Sequence, residues 1–266
     1  MTLLLLRKII FNALKRGIDK ANGDVIFLTD ADCVLNSLSL KRMLHPIATG
    51  EQVAVTGPVR PLEQQLNEPF VRAQAVNLSR KMSLVPDPNV SFLIGANCVL
   101  KHSLLKAYLG SSTNLTIGED YYLALSILKD GNNILYEHGS EIETHFPSTY
   151  WAYIRQKSRW YRGHLLLNYQ FGDRRWMTNV LTSLLHLLLL LIPLISIAFG
   201  YIGGLIWLLS WGVFFMPYVK ARRLAKALGQ SPKASFVSLF QLMLADFSAW
   251  AICLPQLLLP RWRHGW

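Results

Sequence analysis

Charge is scarce in this chain, and acidic charge scarcer still. Only 16% of its 266 residues are Asp, Glu, Lys or Arg, and 16 acids face 27 bases for a net charge of +11. A soluble globular domain carries about a quarter charged residues, so the deficit, with a mean hydropathy of +0.26, points toward a membrane. Cysteine is almost missing: Cys33, Cys98 and Cys253 form neither a disulfide framework nor a metal spacing. In a reducing cytoplasm Cys33 and Cys98 read as small buried residues. No low-complexity tract occurs and 52% of residues are hydrophobic, which excludes disorder. Seven scattered histidines show no ligand spacing, which argues against a zinc enzyme. The basic excess leaves nucleic acid, acidic headgroups and phosphorylated substrates open. No recognised nucleic-acid motif accompanies it, so nucleic acid is not expected as a partner.

The longest absence is structural. From Trp176 to Val219, 44 residues pass without a single Asp, Glu, Lys or Arg. A spanning helix needs about 20 apolar residues, so this run accommodates two. The cluster Gly200-Tyr201-Ile202-Gly203-Gly204 is the natural turn between spans near 179–199 and 202–219. A third apolar segment near 235–259 contains Asp246 and Pro255. It is either a span with Asp246 turned inward or a helix in the interface, since an ionisable group at mid-membrane must face protein or water. Arg174 and Arg175 precede the first span, and Lys220, Arg222, Arg223, Lys226 and Lys233 follow the second. By the positive-inside rule, residues 1–175 and the 220–233 loop are expected in the cytoplasm of an integral cell-membrane protein. Leu3-Leu4-Leu5-Leu6 is too short for a signal peptide, and its positive charges follow it.

The first 175 residues read as α/β. Apolar residues at helical spacing over 9–21 end at Asn22-Gly23, and Val25-Ile26-Phe27-Leu28 then reads as a buried parallel strand. Gln52–Thr56, Phe92-Leu93-Ile94 and Ile134-Leu135-Tyr136 are further strand candidates. Residues 121–129 form a helix with Tyr122, Leu125 and Leu128 on one face, stopped by Gly131 at C′. Helices alternating with such strands predict a doubly wound domain.

Three short motifs stand out. Asp30-Ala31-Asp32 follows the first strand; in an extended chain residues two apart share a face, so both carboxylates can meet one Mg²⁺ or Mn²⁺, although two solvated acids fit the pattern as well. Asp120, after Gly118-Glu119, reads as an ordinary helix cap or as a general base at the mouth of a cleft. Gln156 and Arg159, three apart on a helix, can grip a pyrophosphate beside the flat wall of Trp160. Alternatively that stretch is an interfacial helix with an aromatic belt and snorkelling arginines.

Taken in order, these elements resemble the membrane-anchored family 2 glycosyltransferases from about Phe11 to Gly163. The likeness includes Ala21–Asp32, Gly95-Ala96-Asn97, Gly118-Glu119-Asp120, Gln156, Arg159 and Trp160. It implies a GT-A type, Rossmann-like and mostly parallel sheet in residues 1–175, followed by a membrane domain over 176–266. It further implies a nucleotide-sugar donor, inversion, and a lipid or saccharide acceptor among membrane lipids. Asp30 and Asp32 would bind the donor diphosphate with Mg²⁺ or Mn²⁺, and Asp120 would be the base. Gln156, Arg159 and Trp160, with Glu119, Gly95 and Asn97, would contact donor or acceptor. The family's opening strands and nucleobase-holding acid have no counterpart here, and Ile10-Phe11-Asn12-Ala13-Leu14-Lys15 replaces its usual Lys-x-x-Ala-Leu-Asn. An N-terminally truncated sheet with an apolar edge is therefore expected, and an inactive membrane-bound binding module is the alternative.

Overall fold

The computed structural model describes residues 12–83, 88–111, 118–196, 200–227 and 234–258. The chain forms two compact units, one of residues 1–63 and 84–145 and one of 64–83 and 146–266.

The first unit is α/β. Helix α1 (12–20) ends before Asn22-Gly23, and β1 (Val25–Leu28) follows. Asn36 caps α2 (Ser37–Ala48), accepting from the Ser39 amide at 2.7 Å. Then come β2 (Ala54–Thr56), β3 (Val59–Pro61), β4 (Asn89–Val90) and β5 (Cys98–Lys101). Helices α4 (His102–Ser111) and α5 (Glu119–Lys129) precede β6 (Ile134–Tyr136) and β7 (Ile142–Thr144). The main sheet has the order β1-β5-β2-β6-β4, and β3 and β7 form a second, two-stranded sheet. Met43 and Ile47 of α2 pack on Val55 and Val99 of the main sheet.

Four expectations need correction here. The main sheet is mixed rather than mostly parallel: β5 runs against both β1 and β2, while β2 and β6 are parallel. An apolar run reports burial, whereas strand direction is decided by the connections. β1 is an edge strand whose four residues are half-buried, so its apolar run does not mark a strand enclosed on both sides. Phe92–Ile94 is a loop leading to β5, and its apolar character reflects the burial of Leu93. Helix α5 forms as expected, with Gly131 at C′ in the left-handed region (φ 76°). It is buried nearly all round, through Tyr121, Leu123, Leu125 and Ile127 among others, rather than on one face.

The second unit is helical. A 3₁₀ turn (Glu63–Asn67) leads to α3 (Pro69–Ser83), and α6 (Tyr150–Gln170), α7 (Arg175–Ser196), α8 (Gly200–Ala227) and α9 (Phe236–Leu258) complete it. Residues 64–83 and 146–174, expected with the catalytic part, pack here. Gln65 exchanges two 2.9 Å hydrogen bonds with the Phe146 backbone, and Gln74 donates to the Pro147 carbonyl at 2.7 Å. The expected spans correspond to α7, α8 and α9; residues 197–199 and 259 lie outside the described set. The expected glycine turn is instead the start of α8, where Gly200 alone is left-handed (φ 63°). The helix then runs on through Lys220, Arg222 and Arg223. Among the described residues, Ile202–Leu224 and Phe236–Cys253 are long and apolar enough to cross a membrane.

Around an apolar core that includes Phe70, Leu239 and Leu242, this unit departs from the usual distribution of polarity. Leu181, Leu188, Ile202, Leu205, Leu209 and Val213 are exposed on α7 and α8, whereas Gln74, Asn77, Arg162, Asn168, Asp246 and Gln256 are buried. Asp246 is turned inward, as the first of the two alternatives posed by the sequence requires. Its carboxylate accepts hydrogen bonds from the phenols of Tyr153 (2.7 Å), Tyr161 (3.3 Å) and Tyr218 (2.6 Å). Tyr161 also stacks on Trp250, with ring centroids 3.9 Å apart. Three phenols supply the hydrogen bonds that a carboxyl group loses when it is taken out of water.

Candidate active site

In the first unit β1, β2 and β6 end at one edge of the sheet, where β5 begins; the register sets Leu28 and Thr56 opposite Cys98, and Tyr136 opposite Thr56. Asp30 and Asp32 leave β1 at this edge, and both are exposed. They do not lie in extended chain. The Cys33 amide donates to the Asp30 carbonyl at 3.2 Å, closing a turn, so strand alternation is not what relates the two carboxylates. The Thr144 hydroxyl approaches Asp32 at 3.4 Å.

The loop before β5 is held by Thr56 and Asn97, of which only Asn97 carried a sequence signal. The Thr56 hydroxyl accepts from the Ile94 amide at 2.9 Å and donates to the Asn97 carbonyl at 3.1 Å. Asn97 is fully enclosed, its amide nitrogen donating to the carbonyls of Pro58 (2.9 Å) and Ser140 (2.8 Å). It fastens three loops, and its buried Oδ1 has no hydrogen-bond partner among the described residues. Gly95 lies against Asp120: a Cβ there would stand 3.2 Å from the Asp120 Cβ and 3.3 Å from its Oδ2.

Asp120 does not cap α5. Gly118, left-handed at φ 76°, occupies the cap position without a side-chain hydrogen bond, and Asp120 lies two residues on, beside Glu119. Its Oδ1 accepts from the Tyr121 amide at 2.8 Å. Burial pushes its carboxyl up to about 6, the amides of Tyr121 and Gly95 hold it back, and the Glu119 charge adds to the rise. A carboxyl raised in this way is a stronger base than a solvated aspartate. The buried Cys98 thiol is pushed up by burial, then by the charges of Asp120 and Asp30, so both carboxylates act on the start of β5.

Among the described residues no group of three or more His, Cys, Asp or Glu is placed to hold a metal. Asp30 and Asp32 alone offer hard oxygen donors on one exposed turn. That set fits a Mg²⁺ or Mn²⁺ whose shell is completed by substrate phosphates.

In the second unit, Thr149 caps α6, accepting from the Ala152 amide at 3.3 Å. Gln156 is half-buried, Arg159 exposed and Trp160 39% exposed. The Lys157 ammonium lies 3.8 Å from the Trp160 ring centroid, so one face of the expected wall carries a cation. His164, one turn on, is pushed down to about 4 by burial, then by the charges of Lys157 and Arg175.

Residues 10–163 match the family described as "Glycosyltransferase like family 2". No curated protein matches the chain. Among solved structures it is similar to a mannosyltransferase from Pyrobaculum calidifontis in complex with GDP-Man and Mn²⁺. The TM-score is 0.51 at 13% identity, over 93% of this chain and 66% of that one. The chain thus spans just under two thirds of that structure's length, and the likeness is one of fold, GT-A-like with a mixed sheet.

Proposed function

The chain belongs to the glycosyltransferase family 2-like proteins, and from that membership we propose that it transfers a sugar, with inversion, from a nucleotide-sugar donor to a lipid or saccharide acceptor at the cytoplasmic face of a cell membrane. The observation that carries this reading is Asp120, packed against Gly95 at the start of α5, hydrogen-bonded by the Tyr121 amide, and with its carboxyl raised by burial to about 6. Inversion requires one displacement, in which the acceptor hydroxyl attacks the anomeric carbon, Asp120 takes its proton, and the nucleoside diphosphate departs. Asp30 and Asp32 would hold Mg²⁺ or Mn²⁺ together with the diphosphate. The cation supplies charge neutralisation on the leaving group. Glu119 and Gly95 flank the base, and Gln156, Arg159 and Trp160 are assigned to donor or acceptor contacts. The exposed apolar faces of α7 and α8 support membrane anchoring. The basic residues between Arg174 and Arg223 support a cytoplasmic catalytic part.

The edge position of β1 favours a second reading. Its half-buried apolar strand has no further neighbour among the described residues, as in a binding module that does not turn over. The deciding experiment supplies the full chain in nanodiscs with Mn²⁺ and a panel of nucleotide sugars, and follows donor binding, diphosphate release and the product's anomeric configuration. Release with an inverted product supports transfer. Saturable donor binding without release selects the module, and retention of configuration overturns the mechanism.

A further inference from the structure

The second unit carries the entire charge excess of the molecule. Residues 64–83 and 146–266 hold 16 Lys and Arg against three acids, Glu68, Asp173 and Asp246, for a net +13, while the other unit is at −2. Asp246 is enclosed by phenols and Asp173 is paired with Arg175. Helix α6 has four bases and no acid. Arg162 is fully buried, whereas Arg155 and Arg159, one turn apart, are exposed and make no ion pair or side-chain hydrogen bond with any described residue. Lys157 lies over Trp160, and its field, with that of Arg175, reaches His164. Trp151 (66% exposed) and Tyr169 (65%) mark the two ends of the same helix, the aromatic placement of a segment at headgroup level.

We propose that this face, Arg155, Lys157 and Arg159 around Trp160, binds the phosphate head of an amphiphile, so that the acceptor is a phosphate-bearing lipid rather than a neutral saccharide. The inference rests on the donor-or-acceptor role proposed above for α6 and assigns that role to the acceptor. A neutral sugar is held by carboxylate or amide oxygens that accept from its hydroxyls and by an open aromatic face. On α6 no carboxylate is available, Gln156 offers one half-buried amide against three cationic side chains, and one face of the Trp160 ring lies under an ammonium. A phosphate accepts from every donor on this face, the two guanidinium forks included. The alkyl part finds its solvent in the bilayer that the apolar shell of α7 and α8 requires.

The test uses the full chain in phosphatidylcholine nanodiscs, titrated with hexadecyl phosphate, hexadecanol, phosphatidylglycerol and inorganic phosphate at matched ionic strength. Hexadecyl phosphate is expected to bind saturably and hexadecanol not at all. Lys157→Gln and Arg159→Gln should each weaken binding about tenfold, as expected for a lost charge-assisted hydrogen bond. Equal binding of hexadecanol, or unchanged binding in both variants, overturns the proposal. Equal response to phosphatidylglycerol reduces the face to a general anionic surface, and displacement by millimolar inorganic phosphate reduces it to a free-phosphate site; either outcome also overturns it. Diphosphate release is measured on the same samples. Transfer without hexadecyl phosphate binding sinks this inference alone, and binding without transfer sinks the reaction proposed above.

Discussion

Asp120 and Asp246 are both carboxylates drawn out of water, and the two units treat them in opposite ways. In the helical unit Asp246 receives three phenol hydrogen bonds, from two neighbouring helices. In the α/β unit Asp120 receives backbone amides on one side, has a second acid beside it, and is left basic. Phenols donating from two helices fasten Asp246 in place, whereas burial and a neighbouring acid raise the Asp120 carboxyl. The contrast extends to whole units, −2 against +13, and the helical unit adds buried polar groups and exposed apolar helix faces to its apolar core.

The sharpest way to break the contrast is to remove each charge. Asp120→Asn should slow transfer about 10²–10⁴-fold, the usual cost of a lost general base, with donor affinity kept because Asp30 and Asp32 are untouched. Diphosphate-release kinetics and donor titration check it; an unaltered rate makes Asp120 structural. Asp246→Leu should destabilise by about 3–5 kcal/mol, because three phenols lose their acceptor at about 1–3 kcal/mol each before relaxation. Adding Tyr153→Phe, Tyr161→Phe and Tyr218→Phe should recover most of that loss in thermal melts, since an apolar replacement of a buried polar cluster is often neutral. A quadruple variant as unstable as the single one would show that the phenols are not what Asp246 serves.

Stability of Asp120→Asn turns the comparison round. The Asp120 carboxyl is raised in the folded chain, so its ionised form costs stability above pH 6, and that cost is relieved as pH falls toward 4. By this sign Asp120→Asn should be more stable than the parent by up to about 3 kcal/mol at pH 8, with the advantage gone near pH 4. Melts across that range check it, and a variant less stable at pH 8 would mean that the amide hydrogen bonds outweigh burial. The smallest effect is expected from Gly95→Ala. A methyl group 3.2 Å from the Asp120 Cβ moves the carboxylate by a few tenths of an ångström, which should lower kcat about tenfold or less with donor affinity unchanged.

Legibility in the sequence followed the same divide. Helix α5, strands β2 and β6 and the three apolar segments could be read because their patterns reflect local burial and length. The direction of β5 could not, because it depends on pairing between residues about 40 to 70 positions apart, such as Thr56 and Leu28 with Cys98. Helix α3 was silent because its buried face includes Gln74 and Asn77. The turn at Asp30–Cys33 defeated the alternation argument, since one hydrogen bond redirects the chain as soon as the strand ends. The tyrosine cluster around Asp246 draws on three helices and has no linear signature, and Lys157 over Trp160 would have been found by checking neighbours three apart on α6.

The most direct test of the central claim is the pH dependence of diphosphate release by the full chain and by Asp120→Asn under saturating donor. In the parent the rate should climb with pH through an inflection near 6 and level off above 7, because the base acts only when ionised. In Asp120→Asn that acid limb should be gone from the residual rate. The same limb, at the same pH, in both proteins would contradict the assignment of Asp120 as the base of a sugar-transfer site.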